Sequence, residues 1–151
     1  MIVWIQNPFD NLPSEGFRKQ RYWLMAEAFV RAGHRVVYWT SDFSHARKRM
    51  RDEGRGMRDE GRGIEVRFVP AVPYRSNVSF ARICSHRAYA REWSRLALDS
   101  SLIPHPPSLL ISSCPTLSAA SAALEVGRAY GVRVVIDVQD AWPETFERLS
   151  P

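Results

Sequence analysis

Residues 132–144 have the sequence VRVVIDVQDAWPE, and this stretch decides how the rest of the chain is interpreted. Its first half is rich in β-branched residues and predicts a buried strand, whereas the polar residues that follow predict an open mouth at the strand's end. Pro143 stops further strand pairing, holds Trp142 extended and suits the first position of a helix whose first turn contains Glu144. Asp140 then lies at the carboxyl end of a strand, where doubly wound α/β sheets bind ligands. Capping of the following helix explains an aspartate at this position equally well.

The composition is that of an ordinary globular protein. Of 151 residues, 45% are hydrophobic and 25% are charged, so we expect one domain with a sizeable core and no extensive disorder. The formal net charge of +5 and the pI near 9.7 favour an anionic partner, such as a phosphate-bearing ligand, nucleic acid or an acidic membrane surface. No recognition helix, RNP-like aromatic strand or zinc spacing accompanies this basicity, so we expect no nucleic-acid binding.

We expect a cytoplasmic protein. The first predicted strand begins at Ile2, with no basic leader and no apolar run long enough for a signal peptide or a membrane span. Cys84 and Cys114 lie in no pair with metal or redox spacing, which indicates reduced thiols. The sequence therefore predicts no zinc site.

Apolar runs and helical patterns alternate along the chain. Strands are predicted at residues 2–6, 36–39, 64–69, 109–112 and 132–138. Helices are predicted from Arg18 to Gly33, after the N-cap residue Ser79, and from Leu117 to Tyr130 before Gly131. This alternation predicts a Rossmann-like, three-layer αβα domain whose parallel strands, numbered along the chain, have the order 3-2-1-4-5. The order reverses between the first and fourth strands, so the loops after these two strands flank the expected crevice.

The loop after the first strand, residues 7–17, has features of an anion site. Ser14, Glu15, Gly16 and Phe17 precede a helix, where free backbone N–H groups and the positive end of the helix dipole can hold a phosphate. The single glycine matches neither the dinucleotide fingerprint nor a Walker loop. Residues 113–116 form the loop on the other side of the crevice.

Residues 50–56 and 57–63 are the same heptad, MRDEGRG, repeated in tandem. Its glycines argue against a helix, because each costs about 1 kcal/mol there. We predict a low-complexity surface insertion over residues 45–63, in which seven basic against four acidic residues leave a charge of +3. Contact with anionic lipid headgroups is the alternative role for this segment.

A histidine on the predicted third helix has two interpretations. His86 is flanked by Arg82 and Arg87. It either faces a ligand or makes an ordinary hydrogen bond at the surface or in the core.

Four motifs follow one another along these strands. They are the Asn7-Pro-Phe-Asp10 opening, the Glu15-Gly16 loop before a helix ending Ala32-Gly33-His34, the Ser112-Ser113-Cys114-Pro115 loop, and the segment Asp140-Ala-Trp-Pro-Glu144. Together they resemble the N-terminal domain of family 4 GT-B glycosyltransferases, over nearly all of residues 1–151 except the duplicated heptad. The resemblance implies a retaining transferase that moves a sugar from a nucleotide donor to a polysaccharide or lipid-linked acceptor, as in bacterial polysaccharide or glycolipid assembly.

The resemblance also implies which half of the reaction this domain serves. In that family the N-terminal domain mainly binds the acceptor, and a second Rossmann-like domain binds the nucleotide and carries a pair of spaced glutamates. This sequence contains no such second domain. We therefore expect the chain to be inactive alone and to need that domain or a partner chain. The nucleotide sugar is a substrate, no cofactor or metal is implied, and a peripheral position on the inner face of the membrane is expected.

Site residues follow from the same resemblance. Asp140 is the candidate catalytic residue. The candidate substrate-binding residues are Asn7, Ser14, Glu15, Gly16, Phe17, Arg18, Ser113, Cys114, Pro115, Thr116, Trp142 and Glu144. The family commonly has two adjacent glycines where this chain has Glu15 and Gly16, and a histidine where it has Gln139 and Asp140. The alternative function is a non-catalytic Rossmann-like binding module that completes another chain's cleft.

Overall fold

The computed structural model describes residues 1–51, 57–59, 63–103, 105–114 and 116–139. The strands are β1 (Ile2–Gln6), β2 (Arg35–Ser41), β3 (Phe43–Ser44), β4 (Arg49–Met50), β5 (Met57–Asp59), β6 (Ile64–Val69), β7 (Leu109–Cys114) and β8 (Arg133–Val138). The helices are α1 (Arg21–Arg31), α2 (Phe80–Leu98) and α3 (Leu117–Tyr130), with a 3₁₀ turn at Pro13–Glu15.

The main sheet has the predicted topology with one added strand. Its order is β5-β6-β2-β1-β7-β8, and the five strands from β6 to β8 are parallel neighbours. These are the five predicted strands in the predicted order, so the Rossmann-like α/β class is confirmed. Strand order reverses between β1 and β7, and the loops after both open at the carboxyl edge of the sheet.

The added strand β5 lies in the second copy of the heptad. It pairs antiparallel with β6, so that Met57 lies opposite Arg67, while the first copy begins in β4, which pairs with β3. The interpretation of residues 45–63 as an irregular surface insertion therefore missed strands β4 and β5. An open sheet edge offers unpaired backbone groups to any extended chain beside it, and this pairing does not require apolar side chains.

Each face of the sheet carries a hydrophobic core, because successive side chains of a strand point to opposite faces. Val3 and Ile5 of β1 pack on the face covered by α1. Trp4 points to the opposite face, where it joins Trp39 and Trp93 beneath α2 and α3. The result is the predicted three-layer arrangement.

Helix α3 approaches the sheet closely, as its small residues predict. A Cβ at Gly127 would overlap the side chain of Val134 in β8. Gly131 ends the helix with a φ of 64°, a conformation that favours glycine. The strand β8 is nevertheless the last of the sheet, and Val135 and Val138 are 43% and 65% exposed. The expectation of a buried strand is wrong here, because an apolar run does not reveal whether neighbours cover both of its faces.

Helix α2 begins where the sequence predicts. The Ser79 hydroxyl oxygen accepts a hydrogen bond from the Arg82 backbone N–H at 3.2 Å, which confirms the predicted N-cap. Tyr89 and Trp93 lie on the buried side of this helix. Among the described helices, none combines the length and the apolar character needed to cross a bilayer.

Candidate functional site

The loop after β1 is held by its own side chains. Asn7 is buried, and its Oδ1 accepts hydrogen bonds from the backbone N–H groups of Phe9 and Asp10 at 3.0 and 3.3 Å. Asparagine favours this local turn because its short side chain reaches the backbone a few residues ahead. Asn7, a predicted binding residue, therefore shapes the loop from inside the protein.

The carboxylate of Glu15 is engaged within the protein. Its Oε2 accepts from the Leu12 backbone N–H at 3.0 Å, and its Oε1 lies 3.1 Å from Nε of Arg51. The Glu15 and Arg51 side chains are only 11% and 3% exposed. Buried charges are costly unless they are paired and hydrogen-bonded, and this pair meets both conditions. The negative charge of Glu15, a predicted binding residue, is thus neutralised next to Gly16.

Arg51 connects this loop to the end of β2. Its guanidinium donates from Nη2 to the Asp10 carbonyl oxygen at 2.8 Å and from Nη1 to the Ser41 carbonyl oxygen. This role of Arg51 was not predicted, because the segment that contains it was interpreted as a solvated insertion. Nothing in the local pattern distinguishes Arg51 from the other arginines of the heptads.

A cleft of about 870 Å³ opens at the carboxyl edge beside this loop. It is lined by Asp10, Arg18, Lys19, Gln20, Arg21, Tyr22, Leu24 and Gln139. Three of these side chains are cationic and one is acidic, but Lys19 pairs with Glu27 and Arg21 with Asp137. The lining is therefore polar with charges of both signs, and it suits a polyhydroxylated or anionic ligand. The lining brings the start of α1 together with the end of β8, but it includes none of Ser113, Cys114 and Thr116 from the second loop that was predicted to flank the crevice.

Two carboxylates are held near this cleft by tyrosines. The Tyr38 hydroxyl donates to Oδ2 of Asp10 at 3.2 Å, and burial raises the pKa of the Asp10 carboxyl. The Tyr22 hydroxyl donates to Oδ2 of Asp137 at 2.7 Å, and Arg21 donates to Oδ1 at 3.0 Å. Burial, followed by the Asp137 carboxylate, raises the pKa of Tyr22 well above its ordinary value. The contacts of Arg21 and Tyr22 with Asp137 join α1 to β8. They were not predicted, because they link residues distant in sequence.

The place where strand order reverses, between β1 and β7, is polar but is buried from solvent. The Ser112 hydroxyl donates to Oε1 of Gln6 at 2.6 Å across the two strands. Ser113, Cys114 and Thr116, which are predicted binding residues, are all buried. Within the described ranges, Nε2 of Gln6 and the Thr116 hydroxyl are buried without a hydrogen-bond partner. The structure places these residues under the crevice and not in its open wall.

His86 lies at the same edge of the sheet, on the first turns of α2. Its ring centre is 4.8 Å from that of Phe9, and Nε of Arg82 donates to its Nε2 at 3.3 Å. Burial and then the Arg82 charge lower the pKa of His86 to about 4, so the ring is neutral near pH 7. In the described part of the chain, no three His, Cys, Asp or Glu side chains are grouped as metal ligands.

The sequence over residues 19–150 matches the model of the glycosyl transferase 4-like domain. The chain belongs to this family. Two structures of Os79 from O. sativa share its fold: the complex with UDP and deoxynivalenol-3-glucoside is 14% identical with a TM-score of 0.51, and the UDP complex is 16% identical with a TM-score of 0.50. Each comparison covers 90% of this chain but only 28% of Os79. No curated protein matches the sequence significantly.

Of the candidate site residues in this glycosyl transferase 4-like domain, some lie beyond the end of β8. Four predicted site residues lie outside the described ranges: Asp140, Pro115, Trp142 and Glu144. Gln139 precedes Asp140 and lines the cleft, and its backbone N–H donates to the Cys114 carbonyl oxygen at 3.2 Å. The catalytic role of Asp140 therefore stays a prediction.

The remaining predicted residues lie along the loop before α1. Ser14 is exposed, and Gly16 has a φ of 82° at the end of the 3₁₀ turn. The Phe17 ring lies 4.8 Å from the Arg47 guanidinium carbon, and Arg18 lines the cleft. Of the loop residues predicted for binding, Arg18 is the one that lies in the cleft wall.

Proposed function

We propose that this chain is the acceptor-side domain of a retaining glycosyltransferase, which moves a hexose from a nucleotide sugar to a lipid-linked or polysaccharide acceptor. The observation that carries the proposal is the polar cleft at the carboxyl edge, beside Gln139, in a member of a glycosyltransferase family. Parallel α/β sheets bind ligands at this edge, near the reversal of strand order. Os79 was captured with UDP and a glucoside, and we take the same two substrate classes for this domain.

The cleft residues have complementary roles in this proposal. Arg18 faces the diphosphate of a donor that the second domain holds, and its charge stabilises the leaving group as it departs. Lys19 and Arg21 instead pair with Glu27 and Asp137. Asp140 contacts the reacting acceptor hydroxyl or the developing positive charge on the sugar. The Glu15 carboxylate does not repel the diphosphate, because Arg51 already neutralises it.

The chain alone is expected to be inactive. In the proposed enzyme one domain holds the acceptor and another holds the donor. Alignment of two reactants supplies up to about 7–11 kcal/mol of the catalytic effect, and neither domain provides this alone. We place the domain in the bacterial cytoplasm against the anionic membrane surface, because its net charge of +5 favours that contact.

Amide chemical-shift mapping of the purified chain tests the acceptor assignment. A soluble mimic of a lipid-linked saccharide should shift the amides of Gln20 and Gln139 in the cleft. The amides of Arg35 and His105, which line a hollow at the amino edge, serve as the internal control and should not move. Asp10→Asn keeps the shape of the side chain and should weaken binding. Shifts confined to the amino edge, or binding that ignores Asp10→Asn, would contradict the proposal.

A further inference from the structure

A second group of basic side chains lies at the carboxyl edge, next to the cleft. We call it the histidine cluster and define it as His45, Lys48, Tyr74, Arg82 and His86. Its members come from three separate segments: the turn between β3 and β4, the loop after β6, and the first turns of α2. Side chains from distant parts of the sequence thus meet at one place on the surface.

Both cations of the histidine cluster contact neutral groups. Lys48 Nζ contacts Oδ1 of Asn77 and lies 3.4 Å from Nδ1 of His45. Arg82 donates from Nη1 to the Asn77 carbonyl oxygen at 2.7 Å and from Nε to His86 at 3.3 Å. In the described ranges, neither cation is paired with a carboxylate. Two positive charges therefore converge on Asn77, and no carboxylate among the described residues balances them.

The pKa values of the two histidines and of Lys48 are all lowered. Burial, then Lys48 and Arg82, lower the pKa of His45. Burial and then Arg82 lower the pKa of Lys48. The pKa of His86 is lowered by burial, by Arg82 and by His45, in that order. Like charges held together in a partly buried place disfavour one another, and a bound anion would relieve this repulsion.

The backbone at Lys48 is also unusual. Its φ of 53° is the one positive value among the described non-glycine residues, and such strain persists where surrounding contacts impose it. The Lys48 ammonium group contacts Oδ1 of Asn77 and lies 4.8 Å from the centre of the Tyr74 ring. The lysine is therefore held in position and is not a freely moving surface side chain.

We propose that Lys48 and Arg82, with the two histidines and Tyr74 beside them, bind a phosphate group of the acceptor substrate. Lysine and the forked guanidinium of arginine are donors that suit phosphate oxygens, and the Tyr74 hydroxyl contacts Nδ1 of His45 and fixes the position of that ring. The ring of Phe9 contacts both His45 and His86, at 5.4 and 4.8 Å between ring centres, and the next residue, Asp10, lines the cleft. The link to the acceptor rests on the function proposed above, with the phosphate in the histidine cluster and the reacting hydroxyl in the cleft.

Titration of the purified chain with inorganic phosphate at low ionic strength tests the site itself. Lys48→Gln and Arg82→Gln should each weaken binding by about tenfold or more, as expected for the loss of a charge-assisted hydrogen bond. Arg87→Gln is the matched control, because Arg87 is exposed on the same helix, and it should bind like the wild type. Thermal melts establish whether each variant is folded. If Arg82→Gln does not fold, Lys48→Gln still tests the proposal, because Lys48 lies outside any helix or strand. Equal phosphate affinity in the wild type and in folded Lys48→Gln overturns the proposal.

Further binding experiments distinguish a soluble phosphate from a lipid headgroup. They also separate the phosphate-site proposal from the proposed glycosyltransferase function. Glycerol 3-phosphate reports a soluble phosphate ester, and vesicles with phosphatidic acid, compared with phosphatidylcholine vesicles, report a lipid headgroup. Binding of either ester that depends on Lys48 supports the proposal. If the lipid-linked saccharide mimic binds the wild type and Lys48→Gln equally, the acceptor-phosphate assignment fails and the proposed function stands. If phosphate binding needs Lys48 but no saccharide acceptor occupies the cleft, the phosphate site stands and the proposed function fails.

Discussion

Removal of the negative charge from Glu15 should destabilise the domain strongly. Glu15→Gln keeps the size of the side chain and an oxygen for the Leu12 N–H, but it leaves the Arg51 guanidinium, only 3% exposed, without its counter-charge. Loss of one partner of a buried ion pair costs about 3–5 kcal/mol. The carbonyl oxygens of Asp10 and Ser41 still accept hydrogen bonds from Arg51, so we expect about 3 kcal/mol, at the low end of that range. In a domain of this size that loss corresponds to a fall in Tm of about 6–12 °C.

Thermal and urea unfolding of four variants measures this effect: Glu15→Gln, Arg51→Met, the double variant and Glu92→Gln. Glu92→Gln is the matched control, because Glu92 pairs with Arg95 at the surface, and it should cost less than about 1 kcal/mol. In a double-mutant cycle with Arg51→Met, Glu15→Gln should be much less harmful, since the buried positive charge is then absent. A Glu15→Gln midpoint no lower than that of Glu92→Gln would refute the argument that this ion pair holds the loop.

Four other outcomes are expected. Gly127→Ala should cost about 1–3 kcal/mol in urea unfolding, because its Cβ overlaps Val134. Deletion of residues 57–63 removes an edge strand but neither core cluster, so Tm should fall by less than about 4 °C in a thermal melt. The free energy of unfolding should fall as the pH drops from 6.5 towards about 4, because His86 binds a proton in this range in the unfolded chain but not in the folded one, where its pKa is about 4. His86→Gln should make the stability less dependent on pH in this range. In a radiolabelled transfer assay the purified chain should show no turnover with any sugar nucleotide, and any transfer that Asp140→Asn abolishes would contradict this.

Local patterns predicted most of the fold. The alternation of apolar runs with helical periodicity gave the five parallel strands, and Ser79 and Gly131 mark helix ends by local chemistry that a sequence displays directly. The strand β5 was missed because edge pairing uses backbone groups, which every residue has. The exposure of Val138 was missed because the burial of a strand depends on what lies beside it in space.

The candidate site was less predictable, because its functional contacts join distant segments. Glu15 was predicted to face a ligand, yet its partner Arg51 lies 36 residues away in the heptad. His86 was noted for its neighbours in sequence, whereas its environment is set by Phe9 and Arg82 together. Arg18 was predicted to bind substrate and lies in the cleft wall, because a residue near the start of a helix after the first strand lies at this edge. Its role in binding stays a prediction.

Saturation-transfer NMR on the purified chain tests the central claim most directly. The chain is mixed with equal concentrations of a lipid-linked saccharide mimic and a nucleotide sugar, and both ligands are observed in the same sample. If the domain is the acceptor side of a glycosyltransferase, the saccharide mimic should receive saturation and the nucleotide sugar little or none. Strong saturation of the nucleotide sugar, with none on the saccharide mimic, would contradict the account.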